Sequence, residues 1–421
     1  MRSSSIDGGK EDGRVVSFDE ALGIVLEQAS NLQRPARERV SLTGSLGRVL
    51  ASAVMADRDH PAFNRSTRDG FAVRAGDAMS GGWIEVVGQV AAGGAWREGL
   101  REDATVEIMT GAPVPDDADA VVMLEHVERD GEGGIRLAEG RAIRKGENIV
   151  ARGSEARAGD EVLPEGTEMD AAAIALAAGC GAAEVEVFRR PRVSILATGD
   201  ELVDLGETPG PEQIRNSNSY GLEALVSRAG AEPLRLPVAR DRRDDLRRSI
   251  LRAREADLLL LTGGVSMGEY DLVEEVLLEL GAEFFFTGVR MQPGKPLVFG
   301  RLPEGKDRRA MYFFGHPGNP VSTQATFACF AEPMVRAMRG AAVEEPRFAQ
   351  ATLAEEVAGR PALTRVLPAR LTAKRDRPEV RLVPWQGSGD MAANARSNCY
   401  AVLPEGIEGF QAGEVITVLL R

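Results

Sequence analysis

Short apolar runs alternate with amphipathic stretches in the second half of the chain. The runs predict buried strands, at Val193–Ala197, Leu234–Val238, Leu258–Leu261, Phe284–Phe286 and Met311–Phe314. The intervening stretches predict helices, at Tyr220–Ala229, Asp244–Glu255, Leu272–Leu280 and Val321–Arg339. This alternation is typical of a parallel sheet with helices on both faces, so it predicts a doubly wound α/β domain.

The first half of the chain has a different pattern. In Ser17–Ala29, Ser17 is followed three residues later by Glu20, the capping-box spacing ahead of an amphipathic helix. From about residue 59 to 143, short β-like runs separated by Gly, Asp and Pro predict a small β-rich domain. Ala-rich helical sequence returns at Met169–Ala178, and short strands and turns follow from about Phe348.

These changes of pattern predict four domains in a multi-domain α/β plus β protein. Residues 14–57 and 144–188 would form a discontinuous α+β domain, with the β-rich domain inserted at 58–143. The doubly wound α/β domain would comprise residues 189–340, and a small β-barrel-like domain would comprise residues 345–421. The length of 421 residues agrees with several folded units.

Composition excludes several classes of function. With 51 Lys+Arg against 64 Asp+Glu, the formal charge is −13, which argues against a general nucleic-acid binder. Three dispersed cysteines and three histidines argue against a disulfide framework, a zinc site and a His-based triad. Residues 1–13 lack the apolar core of a signal peptide and predict a flexible tail, and no apolar stretch has a bilayer-spanning length. We therefore expect a cytoplasmic protein without membrane or nucleic-acid partners.

Three of the predicted strands run into small, sharply turning loops. These loops are Thr198-Gly199-Asp200-Glu201, Thr262-Gly263-Gly264-Val265-Ser266-Met267-Gly268 and Gly315-His316-Pro317-Gly318-Asn319-Pro320-Val321-Ser322. Ligands of open α/β sheets bind beyond the carboxyl ends of the strands. Glycine lets the backbone approach a ligand closely, and helix N-termini offer unpaired N–H groups to anions. Together the loops predict a site for a phosphate-bearing ligand.

Charged residues accompany these loops. Lys295 lies in Gln292-Pro293-Gly294-Lys295-Pro296, where two prolines stiffen the backbone, and this favours an anion contact over a solvated lysine. Asp200, Glu201, Glu269 and Asp271 form an acidic group that would suit Mg²⁺, an ion that prefers oxygen ligands shared with phosphates. Spacing leaves two alternatives open, because Asp271 could instead stabilise a helix N-terminus and Glu201 could be a surface residue.

The order of these motifs resembles the molybdopterin molybdenumtransferase family, which includes the C-terminal domain of gephyrin. The matching stretches are SLTGSLGRVLASAV (41–54), FNRSTRDGFAVRAGD (63–77), VEIMTGAPVPDDADAVVMLE (106–125), SILATGDEL (194–202), IRNSNS (214–219), LTGGVSMGEYD (261–271), MQPGKP (291–296), GHPGNPVS (315–322) and GSGDMAANARSNCYAVLP (387–404). Together they extend from about residue 15 to the end of the chain, and their combination is highly specific.

The resemblance implies an elongated four-domain subunit that forms a homodimer, with the α/β domain binding the pterin. Family members take adenylylated molybdopterin and molybdate, and use Mg²⁺ to release AMP as the metal enters the dithiolene. An upstream molybdopterin adenylyltransferase would supply the substrate. The active site would lie at the subunit interface, where the loop containing Asp69 of one subunit faces the α/β domain of the other.

Site residues follow from the resemblance and the loops together. The predicted catalytic residues are Asp69, Glu201, Asp271 and Lys295, of which Glu201 and Asp271 would also serve Mg²⁺. The predicted substrate-binding residues are Thr110, Thr198, Gly199, Asp200, Asn216, Ser217, Gly263, Gly264, Ser266, Gln292, Gly294, Pro317, Gly318, Asn319, Pro320 and Ser388. Without the resemblance, the Asp-Gly pair at Asp69 would indicate only a turn.

Two departures from the family pattern leave other functions open. Asn216 stands where the family usually has Asp, and Gln292 where it usually has Lys, so one carboxylate and one cation are missing. We take the enzyme as the first hypothesis, because more functional positions are retained than lost. The alternatives are a pterin-binding scaffold without turnover and a transferase for another oxyanion, such as tungstate.

Overall fold

The computed structural model describes residues 14–264, 272–305, 309–373 and 375–421. The predictions for residues 1–13, Ser266, Glu269 and Asp271 therefore lie outside the described residues. The helices are α1 Phe18–Ser30, α2 Ala75–Met79, α3 Ala171–Gly179, α4 Ser217–Arg228, α5 Arg243–Ala253, α6 Leu272–Glu279, α7 Pro320–Thr326, α8 Glu332–Met338 and α9 Met391–Arg396. None of the helices in these ranges combines the length and the apolar character needed to cross a membrane.

The strands are short and numerous. In chain order they are β1 Val15–Val16, β2 Arg37–Ser41, β3 Val54–Met55, β4 Arg65–Ser66, β5 Gly70–Val73, β6 Ile84–Val90, β7 Ala104–Ile108, β8 Ala120–Met123, β9 Val127–Arg129, β10 Gly134–Leu137, β11 Ile149–Val150, β12 Glu161–Leu163, β13 Glu184–Phe188, β14 Arg192–Ala197, β15 Leu202–Val203, β16 Ile214–Arg215, β17 Glu232–Arg235, β18 Leu258–Thr262, β19 Glu283–Phe286, β20 Gly288–Val289, β21 Met291–Gln292, β22 Val298–Leu302, β23 Met311–His316, β24 Phe348–Leu353, β25 Val357–Ala358, β26 Thr364–Thr372, β27 Glu379–Leu382, β28 Cys399–Leu403, β29 Gly409–Phe410 and β30 Val415–Leu420.

The chain folds into two compact units. The first comprises the residues up to Glu38, then Gly47–Ala51 and Val187–Arg421. The second comprises Arg39–Leu46 and Ser52–Glu186. The finer division into four domains stays a prediction.

The first unit contains the predicted α/β sheet, with strand order β17-β14-β18-β23-β22-β19. Strands β17, β14, β18 and β23 run parallel, and β22 and β19 form an antiparallel edge. One face packs Ile195, Leu260 and Phe314 against α1, α4, α7 and α8, while Leu261 and Phe313 on the other face pack against α5 and α6. The predicted doubly wound domain is confirmed, since helices cover both faces of the sheet.

Two sequence-based boundaries in this domain were wrong. The predicted strand Leu234–Val238 is instead β17, which ends at Arg235, because Pro237 has no N–H for a strand ladder. The predicted continuous helix Val321–Arg339 is divided into α7 and α8 by a π-helical turn, Phe327–Ala331. Pro333 cannot donate to the carbonyl four residues earlier, and a widened turn accommodates that missing bond.

Helix α1 begins where the capping-box spacing predicts. The Ser17 hydroxyl accepts a hydrogen bond from the Glu20 N–H at 3.1 Å. Phe18, at the start of the helix, packs against Phe330 with ring centroids 5.2 Å apart. The Ser17 cap stabilises the start of α1, and Phe18 packs the helix against the α/β domain. Both residues belong to the predicted segment Ser17–Ala29.

The C-terminal strands close into a small barrel in the first unit. The order β26-β27-β24-β30-β28 is closed by a pairing of β28 with β26, and β21 adds to β26 as a parallel strand. Leu367, Val380, Ala401 and Val418 fill the interior. The predicted small β-barrel-like domain is confirmed.

The second unit contains a six-stranded sheet in the order β8-β5-β7-β6-β10-β9. Both of its faces are covered, with Val106 and Ile108 in one cluster and Phe71 and Ile135 in another. Strands β9 and β10 form a hairpin, in whose turn one Asp130 oxygen accepts hydrogen bonds from two backbone N–H groups at 2.8 Å. These features confirm the β-rich segment.

Candidate functional site

The carboxyl ends of three neighbouring strands are aligned in the α/β sheet. Ala197 at the end of β14 pairs with Thr262 of β18, which in turn pairs with His316 of β23. A cavity of about 120 Å³ opens beyond these ends. Its lining consists of Ala197, Thr198, Glu201, Leu202, Ile214, Arg215, Asn216, Ser217, Asn218, Thr262, Gly263, Gly318, Asn319 and Pro320. The alignment brings eight of the predicted site residues to one cavity.

Close approach of two loops explains the glycines after β18. Gly263 and Gly264 have φ angles of +86° and +64°, which disfavour side chains. A Cβ on Gly263 would overlap the Thr198 carbonyl oxygen, and one on Gly264 would lie 2.7 Å from the Thr198 hydroxyl. Thr198 is 1% exposed, and its hydroxyl has no hydrogen-bond partner among the described residues. The loops therefore pack against each other, and within the described ranges one buried hydroxyl is left unsatisfied.

Asn218, which is not among the predicted site residues, holds three segments of the site together. Its Nδ2 donates to the Thr262 hydroxyl at 3.0 Å and to the Gly318 carbonyl at 2.6 Å. The only sequence signal for this role was a run of small polar residues, Asn216–Ser219, ahead of a predicted helix. One carboxamide thus fixes the start of α4 against the loops that follow β18 and β23.

The N-terminus of α4 faces the cavity. Asn216, which is 3% exposed, caps this helix by accepting a hydrogen bond from the Ser219 N–H at 3.2 Å. Asp and Asn cap helices about equally well, so the amide keeps the local structure that the family carboxylate would give. Ser217 and Asn218 lie in the first turn, where free N–H groups and the helix dipole favour an anion.

A segment of the barrel holds the loop before α7. The Asn319 Nδ2 donates to the Ser388 hydroxyl at 2.8 Å, and the Val321 N–H donates to the Ser388 carbonyl at 3.0 Å. The Thr323 hydroxyl donates to the Pro317 carbonyl at 2.6 Å. Ser388, predicted from the resemblance alone, therefore contacts the Pro317–Pro320 loop directly.

Carboxylates gather beside the cavity. Asp200 and Glu201 are exposed, and Asp241 follows β17 at the same edge of the sheet. Burial, together with the negative charges of Asp200 and Glu201, raises the pKa of Asp241 above its ordinary value. Asp241 is not predictable from the sequence, because it lies in a charged run, ARDRRDD, that gives no signal of a site.

The described ranges contain no group of three or more His, Cys, Asp or Glu placed to hold a metal ion. A bound cation would nevertheless reduce the repulsion between the Asp241 carboxyl and the negative charges of its neighbours. Mg²⁺ usually takes one or two carboxylates and completes its shell with water and substrate phosphates. The oxygen donors at this edge of the sheet therefore fit the chemistry of Mg²⁺.

The loop with Lys295 lies next to the barrel. Gly294 has a φ of +114°, and a Cβ there would lie 2.5 Å from Thr326. Gln292 pairs in register with Arg365 of β26, and its Oε1 has no partner among the described residues. Lys295 is exposed, and neither it nor Gln292 is part of the cavity lining given above. Lys295, the one cation of this loop, is thus separate from the lining of the strand-end cavity.

His316 is fully buried under α7. Burial lowers its pKa to about 3, so the imidazole is neutral at physiological pH. Its Nδ1 lies 2.8 Å from the Thr326 hydroxyl, which donates to the Ser322 carbonyl. That hydroxyl is therefore the acceptor for Nδ1–H, and His316 acts as a packed core residue.

Asp69 and Thr110 meet in the second unit. One Asp69 oxygen accepts hydrogen bonds from the Thr110 N–H at 2.6 Å and from the Thr110 hydroxyl at 2.9 Å. Both hydrogen bonds lower the pKa of the exposed Asp69 carboxyl, and the bond from the Thr110 N–H has the larger effect. Two residues predicted separately thus form one anionic group.

Comparisons with known proteins agree along most of the chain. Residues 16–181 match the sequence model of the "MoeA N-terminal region (domain I and II)", residues 194–337 match "Probable molybdopterin binding domain", and residues 350–420 match "MoeA C-terminal region (domain IV)". The molybdopterin molybdenumtransferase of Staphylococcus aureus strain Mu50 is 34% identical over 415 residues, which is 96% of this chain and 95% of that protein. The Staphylococcus epidermidis protein of the same name is 32% identical over the same shares.

Solved structures are similar over the same length. A molybdopterin biosynthesis MoeA protein from Pyrococcus horikoshii is 29% identical, with a TM-score of 0.75, and covers 97% of this chain and 99% of its own. A second crystal structure from Pyrococcus horikoshii OT3 has 27% identity and a TM-score of 0.80, with 97% and 100% covered. The fold and the strand-end cavity define an α/β enzyme with a C-terminal barrel. The chain belongs to the molybdopterin molybdenumtransferase family.

Proposed function

We propose that this protein inserts molybdate into adenylylated molybdopterin, with Mg²⁺-dependent release of AMP, in the cytoplasm. The observation that carries the proposal is the strand-end cavity, whose lining combines the N-terminus of α4 with Glu201, a carboxylate close enough to Asp241 to affect its pKa. Helix N–H groups suit the phosphates of the substrate, and carboxylates suit a cation that bridges to them. An upstream adenylyltransferase would supply the adenylylated pterin.

Binding of the substrate would use neutral polar groups as well as charges. Thr198, Ser217 and the loop before α7 offer hydroxyl and backbone groups to the pterin and its phosphates. Lys295 would neutralise molybdate or phosphate from its exposed loop. Asn218 and Ser388 would keep the loops in place and so reduce the ordering that binding requires.

Mg²⁺ would be held by Glu201 and Asp271, with Asp200 and Asp241 adding negative charge nearby. Bound Mg²⁺ neutralises developing charge on phosphate oxygens. Glu201 lines the cavity and is exposed, so its carboxylate is open to a ligand there.

We further propose a homodimer in which Asp69 and Thr110 of one subunit complete the site of the other. The support is that the two side chains form a single exposed anionic group, in which both hydrogen bonds converge on one oxygen of Asp69. The second Asp69 oxygen has no such bond in the same pair and remains an acceptor for water or substrate.

The test supplies purified protein with adenylylated molybdopterin, molybdate and Mg²⁺, and measures AMP and active molybdenum cofactor. We expect both products, with AMP release abolished by EDTA and strongly reduced in Glu201→Gln. Asp204→Asn, which alters an exposed carboxylate just after β15 and outside the cavity lining, is the matched control and should keep activity. Tight binding of the adenylate without AMP release would refute turnover and support a scaffold.

The scaffold alternative draws on Gln292, which supplies no charge where the family usually has Lys. Its side-chain oxygen has no hydrogen-bond partner in the described part of the chain. Gln292 therefore does not replace the missing charge with another polar contact there. A preference for tungstate over molybdate in the same assay would support the other-oxyanion transferase.

A further inference from the structure

The strand-end cavity has one cationic side chain in its described lining. Arg215 is exposed at the end of β16, immediately before the cap residue of α4. Every other residue of the lining is neutral apart from Glu201. Lys295, the cation expected from the sequence, is outside that lining. A phosphate in the cavity would therefore have Arg215 as its cationic neighbour.

The Arg215 side chain is available for a ligand. No hydrogen bond or ion pair joins it to another residue in the ranges that the structure describes, whereas neighbouring Arg235 pairs with Glu223 and Arg240 donates to the Asp200 carbonyl. The backbone at this position is fixed, because Arg215 pairs with Val203 and the Asn216 N–H donates to the Val203 carbonyl at 2.9 Å. A fixed backbone and a free guanidinium are the features of an anion clamp.

A second observation points to a ligand in the same cavity. Thr198 is 1% exposed and lines the cavity, yet its hydroxyl has no partner among the described residues. Buried hydroxyls are nearly always hydrogen-bonded, so within the described ranges this hydroxyl is left for a ligand to satisfy. The volume of about 120 Å³ holds several waters, so a polyatomic group fits.

We infer that Arg215 is the residue that binds a phosphate group of the substrate in this cavity, together with the N-terminal N–H groups of α4. The guanidinium fork can hold two phosphate oxygens while the Ser217 and Asn218 N–H groups reach a third. Arg215 thus sets the preference of the cavity for a phosphate-bearing ligand over its dephosphorylated form. This inference rests on the proposed function for the identity of the substrate.

The test compares AMP with adenosine, which lacks the phosphate, by isothermal titration calorimetry on the full-length protein. We expect Arg215→Gln to weaken AMP binding on the order of 10- to 100-fold, the loss of a charge-assisted contact, and to leave adenosine binding unchanged. Arg215→Lys should recover part of the AMP affinity, because it keeps the charge but loses the fork. Arg247→Gln, an exposed arginine of α5 outside the cavity lining, is the matched control and should bind AMP as the wild type does.

Three outcomes would overturn the inference: equal AMP affinity in wild type and Arg215→Gln, equal losses for AMP and adenosine, or wild-type protein that binds AMP no better than adenosine. AMP release by the wild type, measured separately, distinguishes this failure from failure of the proposed function. Intact AMP release with an unaffected Arg215→Gln would overturn only the role of Arg215. Phosphate-selective binding that depends on Arg215, without AMP release, would refute the proposed enzymatic activity and leave the role of Arg215 intact.

Discussion

The carboxamide nitrogen of Asn218 lies 2.6 Å from the carbonyl oxygen of Gly318, a residue one hundred positions later in the chain. The same nitrogen donates to the Thr262 hydroxyl at 3.0 Å. The first turn of α4 and the loops after β18 and β23 therefore share one donor. Any change in that side chain affects three walls of the cavity together.

Asn218→Ala should lower both stability and ligand affinity. Loss of the two hydrogen bonds is expected to lower the free energy of unfolding by about 1–3 kcal/mol, and AMP affinity should fall with it. Asn218→Asp should lower stability and affinity further, since its carboxylate would lie against the Gly318 carbonyl oxygen. Urea unfolding and calorimetry measure both effects, with Asn31→Ala at an exposed helix end as the control. Wild-type values in both Asn218 variants would contradict the role assigned to this side chain.

Thr110→Val should raise the pKa of Asp69 part of the way to its ordinary value. The Thr110 N–H, the larger cause of the lowered pKa, remains in this variant, and only the hydroxyl is lost. A carboxyl whose pKa is lowered by folding stabilises the protein above its unfolded pKa, and that stability disappears as the pH falls through the folded pKa. Because the variant raises only the folded pKa, the stability contributed by the Asp69 carboxyl should be smaller and its loss should be complete at a higher pH.

Carboxyl NMR titration of Asp69 measures this shift directly. Thr110→Ser keeps the hydroxyl and should titrate like the wild type. Superimposable curves for Thr110→Val and the wild type would show that the hydroxyl bond has no effect on Asp69.

His316→Leu should flatten the acid dependence of stability. Folding lowers the His316 pKa to about 3, so the unfolded chain binds the extra proton between the ordinary value of about 6.5 and that pH. Wild-type stability should fall on acidification through this window by up to about 1.4 kcal/mol per pH unit from this group, and the variant should lack that contribution. Urea unfolding at several pH values compares the two slopes, and equal slopes would mean that His316 is protonated in the folded state.

Asn216→Asp should leave both folding and turnover close to wild type. Either side chain caps α4, while Asn216→Ala should cost about 1 kcal/mol. Since the Asn216 oxygen is engaged by the Ser219 N–H, we expect no change in the Mg²⁺ dependence of AMP release in Asn216→Asp. A large gain in AMP release would instead show that the missing carboxylate limits this protein.

Mixed dimers test whether the site is shared between subunits. Under the proposed arrangement, Asp69→Asn and Glu201→Gln each inactivate both sites of a homodimer, but a mixed dimer keeps one intact site. Co-expression of the two variants should therefore restore AMP release. Asp69→Asn with Asp69→Ala, two changes at the same residue, is the matched pair and should not restore it. Restoration by both pairs, or by neither, would refute the shared site.

The sequence predicted the elements that have strong periodicity. Strands β14, β18 and β23 are almost continuous apolar runs because helices cover both faces of their sheet. The residues that the sequence argument missed carry no such pattern. Asn218 donates hydrogen bonds to residues 44 and 100 positions away, and Asp241 interacts electrostatically with Asp200 at the edge of the sheet. These contacts depend on the topology of the chain and not on local sequence.

The partial successes have the same cause. Thr198, Gly263 and Asn319 were predicted because they follow apolar strands, and the structure brings them to one cavity. Gln292 and Lys295 were predicted from their local sequence, and the structure places them on a different loop beside the barrel. Local patterns show which residues end a strand, but the lining of a cavity depends on how the loops are arranged in space.

The two bonds of Ser388 have a consequence for the evolution of this chain. The α/β module ends its third loop with Asn319 and Val321, and the barrel module supplies the hydroxyl and the carbonyl that hold them. A barrel without a hydroxyl at this position would keep its own fold but leave the Asn319 amide without this partner. Substitutions at Ser388 and at Asn319 should therefore constrain each other, although they fall in different modules.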